Sequence, residues 1–181
     1  NYLASGKEPV RMGSAHPSIV PYQAFQAKDK YFILAVGNDA IWKRFCKALN
    51  LDFVNDPKYA VNEMRVKHRE ELNQFLKNMF KQKNASEWLD KLHQERVPCG
   101  MINSIGEVMN HPQVIHRKMI VELPHPTIGK VRVPGNPINF SLSPIKYQSA
   151  PPLLGQHTEE VLKKLGYSEE DIKNLVNTGV V

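Results

Sequence analysis

The spacing of apolar residues changes character several times along this chain. Residues 1–21 are interrupted by Gly6, Pro9, Gly13, Pro17 and Pro21 and hold no regular period, so they read as a linker. Two aromatic and β-branched runs follow, residues 22–27 and 31–36, joined across Lys28-Asp29-Lys30 in the manner of a hairpin. The second run, Tyr31-Phe32-Ile33-Leu34-Ala35-Val36, is nearly all apolar and is expected as a buried central strand. It ends at Gly37-Asn38-Asp39, after which Trp42, Phe45, Cys46 and Leu49 recur at helical spacing. A strand, a short glycine-bearing turn and a helix start can together present backbone N–H groups and a side chain at a surface.

The helical period continues beyond this point. Leu72, Phe75, Leu76 and Met79 fall at i, i+3, i+4 and i+7, which predicts a helix over residues 66–81 with these four on its buried stripe. Asn84 and Glu87 have capping-box spacing for the next helix, whose Trp88, Leu89 and Leu92 face inward and which stops before Pro98. Ser104 and Glu107 repeat that spacing and open a short helix that His111-Pro112 ends. β texture returns over residues 119–133. There Ile120-Val121-Glu122-Leu123 is separated from Val131-Arg132-Val133 by a Pro-His-Pro interruption and a turn at Gly129, a second hairpin.

Residues 134–152, rich in proline, asparagine and serine, read as an extended connector. Two short helices close the chain, one over residues 158–165 stopping at Gly166, the other starting at a Ser168 cap and stopping before Gly179. Mixed helices and antiparallel strand pairs without βαβ alternation give an α+β class: a small antiparallel sheet with packed helices, plus a helical C-terminal tail.

Composition narrows the possible partners. With 181 residues, 41% of them hydrophobic, the chain can bury a core of one domain with an appended segment. Asn1-Tyr2-Leu3-Ala4-Ser5-Gly6 opens like the last turn of a helix ending at glycine, so a piece of a longer protein is expected. No apolar run approaches the roughly 20 residues of a membrane span, and no signal-peptide pattern is visible. No membrane partner is therefore expected. Lys and Arg outnumber Asp and Glu by 24 to 18, a net charge of +6. The basic residues are scattered over amphipathic helices, and Lys77, Lys81 and Lys83 read as solvated faces. Without nucleic-acid-binding motifs to accompany the charge, no nucleic-acid partner is expected.

Candidate chemistry is sparse. Cys46 and Cys99, the only cysteines, have no metal spacing and read as free thiols. Cys99 lacks an assignable basic partner, so an inert, packed thiol is expected there. His111 and His116 have no further ligand to complete a metal set, and no metal site is assigned. In Gln156-His157-Thr158, His157 or Thr158 helps start the following helix. Asp39 suits the N-cap of the helix that carries Trp42. Arg11 and His16-Pro17 read locally as a linker turning at proline with a surface arginine.

Three longer stretches add a resemblance. They are Pro9-Val10-Arg11-Met12-Gly13-Ser14-Ala15-His16-Pro17 with Pro21-Tyr22-Gln23-Ala24-Phe25; Phe32-Ile33-Leu34-Ala35-Val36-Gly37-Asn38-Asp39 with Trp42; and Pro151-Pro152-Leu153-Leu154-Gly155-Gln156-His157-Thr158-Glu159-Glu160-Val161-Leu162 with Leu165-Gly166-Tyr167-Ser168. Together with Val97-Pro98-Cys99-Gly100 and His111-Pro112-Gln113-Val114, in this order, they resemble the second half of family III CoA-transferases.

The resemblance implies residues 1–15 as linker, 16–139 as a small domain, and 140–181 as a tail returning to a Rossmann-like large domain, with two subunits interlocked as a homodimer. It implies transfer of CoA from an acyl-CoA such as succinyl-CoA to a dicarboxylate such as glutarate, in mitochondria. Coenzyme A serves as substrate and no cofactor is used. The aspartate nucleophile is expected in the large domain, because Asp29, Asp39, Asp52, Asp56, Asp90 and Asp171 all stand in other contexts; no catalytic residue is assigned here. The substrate-binding candidates it implies are Gly37, Asn38 and Asp39, as a loop over the reacting thioester, and His16 and Arg11 near the acyl pocket. Two other readings stand beside it: an acyl-CoA racemase of the same family, and a free-standing basic interaction domain.

Overall fold

The computed structural model describes residues 2–6 and 8–181. They form two compact units, Asn1–Asn103 and Ser104–Val181. Helices and small antiparallel sheets together make the fold α+β, as expected.

In the first unit, α1 (Tyr2–Ser5) stops at Gly6. β1 (Tyr22–Gln26) and β2 (Tyr31–Ala35) form the expected hairpin, with Phe25 opposite Phe32. β3 (Cys99–Met101) adds to the far edge of β2, with Leu34 opposite Cys99, so β2 is central. It is not buried on both sides. Phe32 and Leu34 are buried, whereas the alternate residues Ile33 and Ala35 are half-exposed on the other face. β3 has no period of its own to read, since three residues containing a glycine are too short for one.

Helices cover the buried face of this sheet. α2 (Asp39–Leu49) buries Trp42, Phe45 and Cys46. The helix expected over residues 66–81 is two: α3 (Asn62–Lys67) and α4 (Arg69–Phe80), broken at His68. Its buried stripe also differs from the expected one, comprising Leu72, Asn73, Leu76 and Phe80. Phe75 is 43% exposed and instead meets Phe53 edge-on at 5.0 Å. α4 docks through the 72/76/80 phase because that phase sets Phe80 edge-on against Phe25 at 5.2 Å and Phe32 at 5.0 Å. α5 (Ala85–Gln94) has the expected Asn84/Glu87 capping box and buries Trp88, Leu89 and Leu92. The Trp88 indole stands edge-on to Phe80 and donates to the Phe80 carbonyl at 2.8 Å. Lys83 packs its ammonium over the Trp88 ring, so it is less solvated than expected.

In the second unit, α6 (Ile105–Met109) has the expected Ser104/Glu107 box. His111-Pro112 does not simply end it. His111 caps a further helix, α7 (Pro112–His116), with proline in its first turn, where a missing N–H costs nothing. β4 (Ile120–His125) and β5 (Gly129–Pro134) pair as the expected hairpin, and β4 runs through the supposed interruption at Pro124. A two-stranded ladder has only edge strands, and these tolerate proline. α8 (Thr158–Lys164) and α9 (Glu169–Asn177) close the chain, and Ser168 caps α9 as expected.

The units differ in what they bury. The first has a continuous core from Val20 to Val97. Among the described residues beyond Val97, Ile172 is the one large apolar side chain that is buried, while Phe140, Leu142, Leu154, Leu165 and Val176 are exposed.

Two outcomes follow from this packing. Phe80→Ala should lower the unfolding free energy by about 3–5 kcal/mol in denaturant titration, and Phe75→Ala by about 1 kcal/mol or less. Backbone amides in α8 and α9 of this chain in dilute solution should exchange at least about a hundredfold faster than those of α4, read by hydrogen–deuterium exchange. Equal protection would mean that the tail is held by a core of its own.

Candidate functional site

Residues 37–39 follow the central strand β2 and lead into α2. Val36 is fixed, its N–H donating to the Pro21 carbonyl at 3.0 Å. Gly37 and Asn38 are exposed. Asn38, not Asp39, is the N-cap of α2: its side-chain oxygen accepts from the Ile41 N–H at 2.9 Å. Capping requires extended backbone, which Asn38 has, while Asp39 already lies inside the helix.

Asp39 has a different role. Its Oδ1 accepts from Arg65 at 2.7 Å and from the Asn62 N–H at 2.9 Å, while its side chain stays 46% exposed. Arg65 has no exposed surface. Its Nε donates to the Val20 carbonyl at 2.8 Å, and one terminal nitrogen donates to the carbonyls of Tyr59 at 2.9 Å and Ala60 at 3.3 Å. Its guanidinium also lies over the Trp42 ring, 4.7 Å from the centroid. Burial pulls its pKa down from the ordinary arginine value, and the hydrogen bond and charge of Asp39 oppose that shift.

Asn62 and Arg69 complete a polar clasp around residues 16–20. Asn62 donates to the Ser18 carbonyl at 2.8 Å and accepts from the Val20 N–H at 3.1 Å. Arg69 donates to the carbonyls of His16 at 2.9 Å and Pro17 at 2.6 Å. His16 stacks on Tyr22 with ring centroids 5.4 Å apart. Its Nδ1 accepts from the Ser18 N–H at 3.1 Å, which leaves Nε2 as the protonated nitrogen of the neutral ring.

The structure therefore brings His16 and Asp39 to one polar assembly, while Gly37 and Asn38 precede Asp39 in the chain without joining it. Arg11 stands apart: it is exposed and makes no hydrogen bond or ion pair with the described residues. Arg65 and Arg69 escaped sequence reading, although a signal existed. The buried phase of Leu72, Leu76 and Phe80, extended toward the N-terminus, falls on these two arginines, and a charge at a core-phase position calls for buried acceptors.

Two further features define the loop. The N–H groups of Gly37, Asn38, Asp39 and Ala40 donate to no acceptor among the described residues. Among the described residues nothing requires Gly37 to be glycine, because an added Cβ would meet only the Ile41 Cδ1 at 3.9 Å, an ordinary contact. The loop thus offers unpaired donors beside a bare backbone, suited to an anionic oxygen that approaches closely.

Elsewhere, His157 stands at the start of α8 without a side-chain cap bond, its ring 3.6 Å from Glu160. Burial raises the Cys46 thiol to about 12 and the Cys99 thiol to about 11. Among the described residues, no group of three or more His, Cys, Asp or Glu side chains is placed to hold a metal ion, and no helix is long and apolar enough to cross a membrane.

Residues 1–158 match the family described as CoA-transferase family III. A mouse protein named succinyl-CoA:glutarate CoA-transferase is 42% identical over 183 residues, covering 100% of this chain and 42% of that protein. Succinate–glutarate CoA-transferase of Agrobacterium fabrum is 39% identical over 168 residues, covering 91% of this chain and 42% of the relative. The crystal structure of a CaiB/BaiF family protein from Brucella suis superposes with a TM-score of 0.75 at 36% identity, over 91% of this chain and 42% of that one. The chain spans about two fifths of the length of the curated relatives it matches.

The raised thiol values carry a prediction. At pH 7.5 each thiolate is on the order of one part in a thousand or less, so neither cysteine should react appreciably with iodoacetamide in the folded chain. Denaturation should expose both. Rapid labelling of Cys99 in the folded state would show an activating neighbour that the described residues do not supply.

Proposed function

The chain belongs to CoA-transferase family III, and from that membership we propose that it is the small-domain half of a CoA-transferase acting on dicarboxylates. In this reading the whole protein moves CoA from an acyl-CoA such as succinyl-CoA to a carboxylate such as glutarate. The names of the mouse and Agrobacterium relatives support that substrate class. Residues 1–15 serve as linker, 16–139 as small domain and 140–181 as a tail returning to a large domain. The uncovered apolar residues of the second unit support such a tail, since side chains of this kind ordinarily have a packing partner. Two subunits interlock, and the enzyme works in mitochondria.

The chemistry requires a carboxylate nucleophile, and its aspartate lies in the large domain, outside this chain. It attacks the thioester carbonyl of the donor, and CoA thiolate leaves as a mixed anhydride forms. The thiolate then re-attacks to give an enzyme thioester, which the acceptor carboxylate opens. Each attack places negative charge on the former carbonyl oxygen. The loop at residues 37–39 closes over the reacting thioester and offers its unpaired N–H groups to that oxygen, an interaction worth about 3 kcal/mol per well-placed donor.

The observation that carries this reading is Gly37. No contact among the described residues requires glycine there, so its missing side chain serves something that approaches from outside. In the full-length enzyme, Gly37→Ala should leave the unfolding free energy within about 0.5 kcal/mol of the parent. It should also slow CoA transfer from succinyl-CoA to glutarate about tenfold or more. An unchanged rate would remove the loop from the reaction. The 181-residue chain alone should show no thioester exchange, and a robust rate from it would place the nucleophile here instead.

A further inference from the structure

Gly37 is unanchored itself: among the described residues neither its N–H nor its carbonyl takes part in a hydrogen bond. Its position is set by its neighbours on each side. Upstream, the Val36 N–H is held by the Pro21 carbonyl at 3.0 Å, and the adjoining Val20 carbonyl accepts from the Arg65 Nε at 2.8 Å. Downstream, the Asp39 Oδ1 accepts from the other end of the same guanidinium at 2.7 Å. Both supports of Gly37 therefore lead to one side chain.

We propose that Arg65 is a positioning residue for the thioester-covering loop, acting through Asp39 on one side and through the Val20–Pro21 segment on the other. The inference rests on the reading of residues 37–39 as that loop and extends it to a residue that touches no substrate. Full burial gives the guanidinium one orientation, and its planar fork directs N–H groups to Val20, Tyr59 and Asp39 at once. Asn62 reinforces the arrangement, because its N–H binds the same Asp39 oxygen while its side chain holds Ser18 and Val20. A lysine would keep the charge and lose the fork. Its single ammonium cannot reach both supports in line, so Asp39 or Val20 would shift and carry Gly37 with it.

The test is kinetic, on the full-length enzyme, with rates expressed per folded active site. A displacement of about 1 Å near reacting atoms costs up to about a hundredfold in rate. Arg65→Lys should therefore lower kcat about ten- to a hundredfold while changing the KM for the acyl donor less than about threefold, the pattern of a lost transition-state interaction. Combining it with Asp39→Asn should cost little more than the worse single change, because both act through one link. A purely structural arginine would lower the melting temperature and the yield, leaving kcat per active site intact.

Gly37→Ala, measured in parallel, separates the two ideas. If it keeps full activity, the loop reading fails whatever Arg65 does. If it slows the enzyme and a folded Arg65→Lys enzyme does not, the inference about Arg65 alone fails. Should Arg65→Lys not fold, Asp39→Asn takes its place, since it leaves the arginine buried and removes only the charge that fixes Asp39. The same fall in kcat at near-constant KM supports the proposal, and an unchanged kcat overturns it.

Discussion

A guanidinium without exposed surface is the constraint on which the first unit is arranged. Arg65 cannot give up its proton in a protein, so burial obliges it to find acceptors. It finds them in the segment before β1, in the loop before α3 and in the first residue of α2. The fork is planar and directional, so the three segments keep a fixed relation only while all bonds form together. Desolvation of the charge offsets much of the attraction, so such a group is a weak source of net stability. Its value here is geometric. The Phe25–Phe32–Phe80–Trp88 cluster supplies the burial that folds the unit, but apolar packing tolerates small shifts that hydrogen bonds to a rigid fork do not.

That division explains what could be read from the sequence. The hairpin of β1 and β2, the phase of α2 and the three capping residues Asn84, Ser104 and Ser168 rest on local rules, and each stands where those rules put it. Errors arose where tertiary contacts chose between local options. Leu72 and Leu76 fit two helical phases, and only the position of β1 and β2 decides that Phe80 rather than Phe75 completes the stripe. Asn38 and Asp39 are both good capping residues, and the choice between them depends on Arg65, 26 positions along the chain. The loop at residues 37–39 and His16 are singled out through resemblance alone, whereas Arg65 and Arg69 are hidden because a charged residue on a helix reads as solvated by default.

The second unit shows the opposite balance. Its local signals are strong: capping boxes, a proline at a helix start and a regular hairpin ladder. Secondary structure therefore forms as composition and capping dictate. Yet short helices and a lone hairpin are marginal in water unless an apolar face is covered. Ile172 alone cannot serve as a core: Val161 and Val176 are exposed within α8 and α9, and Leu142 and Leu154 are exposed in the connector before them. The sequence of this unit encodes its pieces locally and leaves their stability to contacts made with other surfaces.

The contrast between two glycines ties the site to this logic. At Gly135 an added Cβ would come 2.8 Å from the Lys118 carbonyl, so the chain's own packing demands a bare backbone there. At Gly37 the same addition meets nothing closer than 3.9 Å. A residue whose smallness is unused internally, flanked by neighbours held through one buried guanidinium, has a fixed position and an open approach. Those are the properties needed of a surface that another group must meet closely and repeatedly in one geometry. A flexible glycine loop would share the openness and lack the placement; a packed one would share the placement and lack the openness. Arg65 is what allows residues 37–39 to have both.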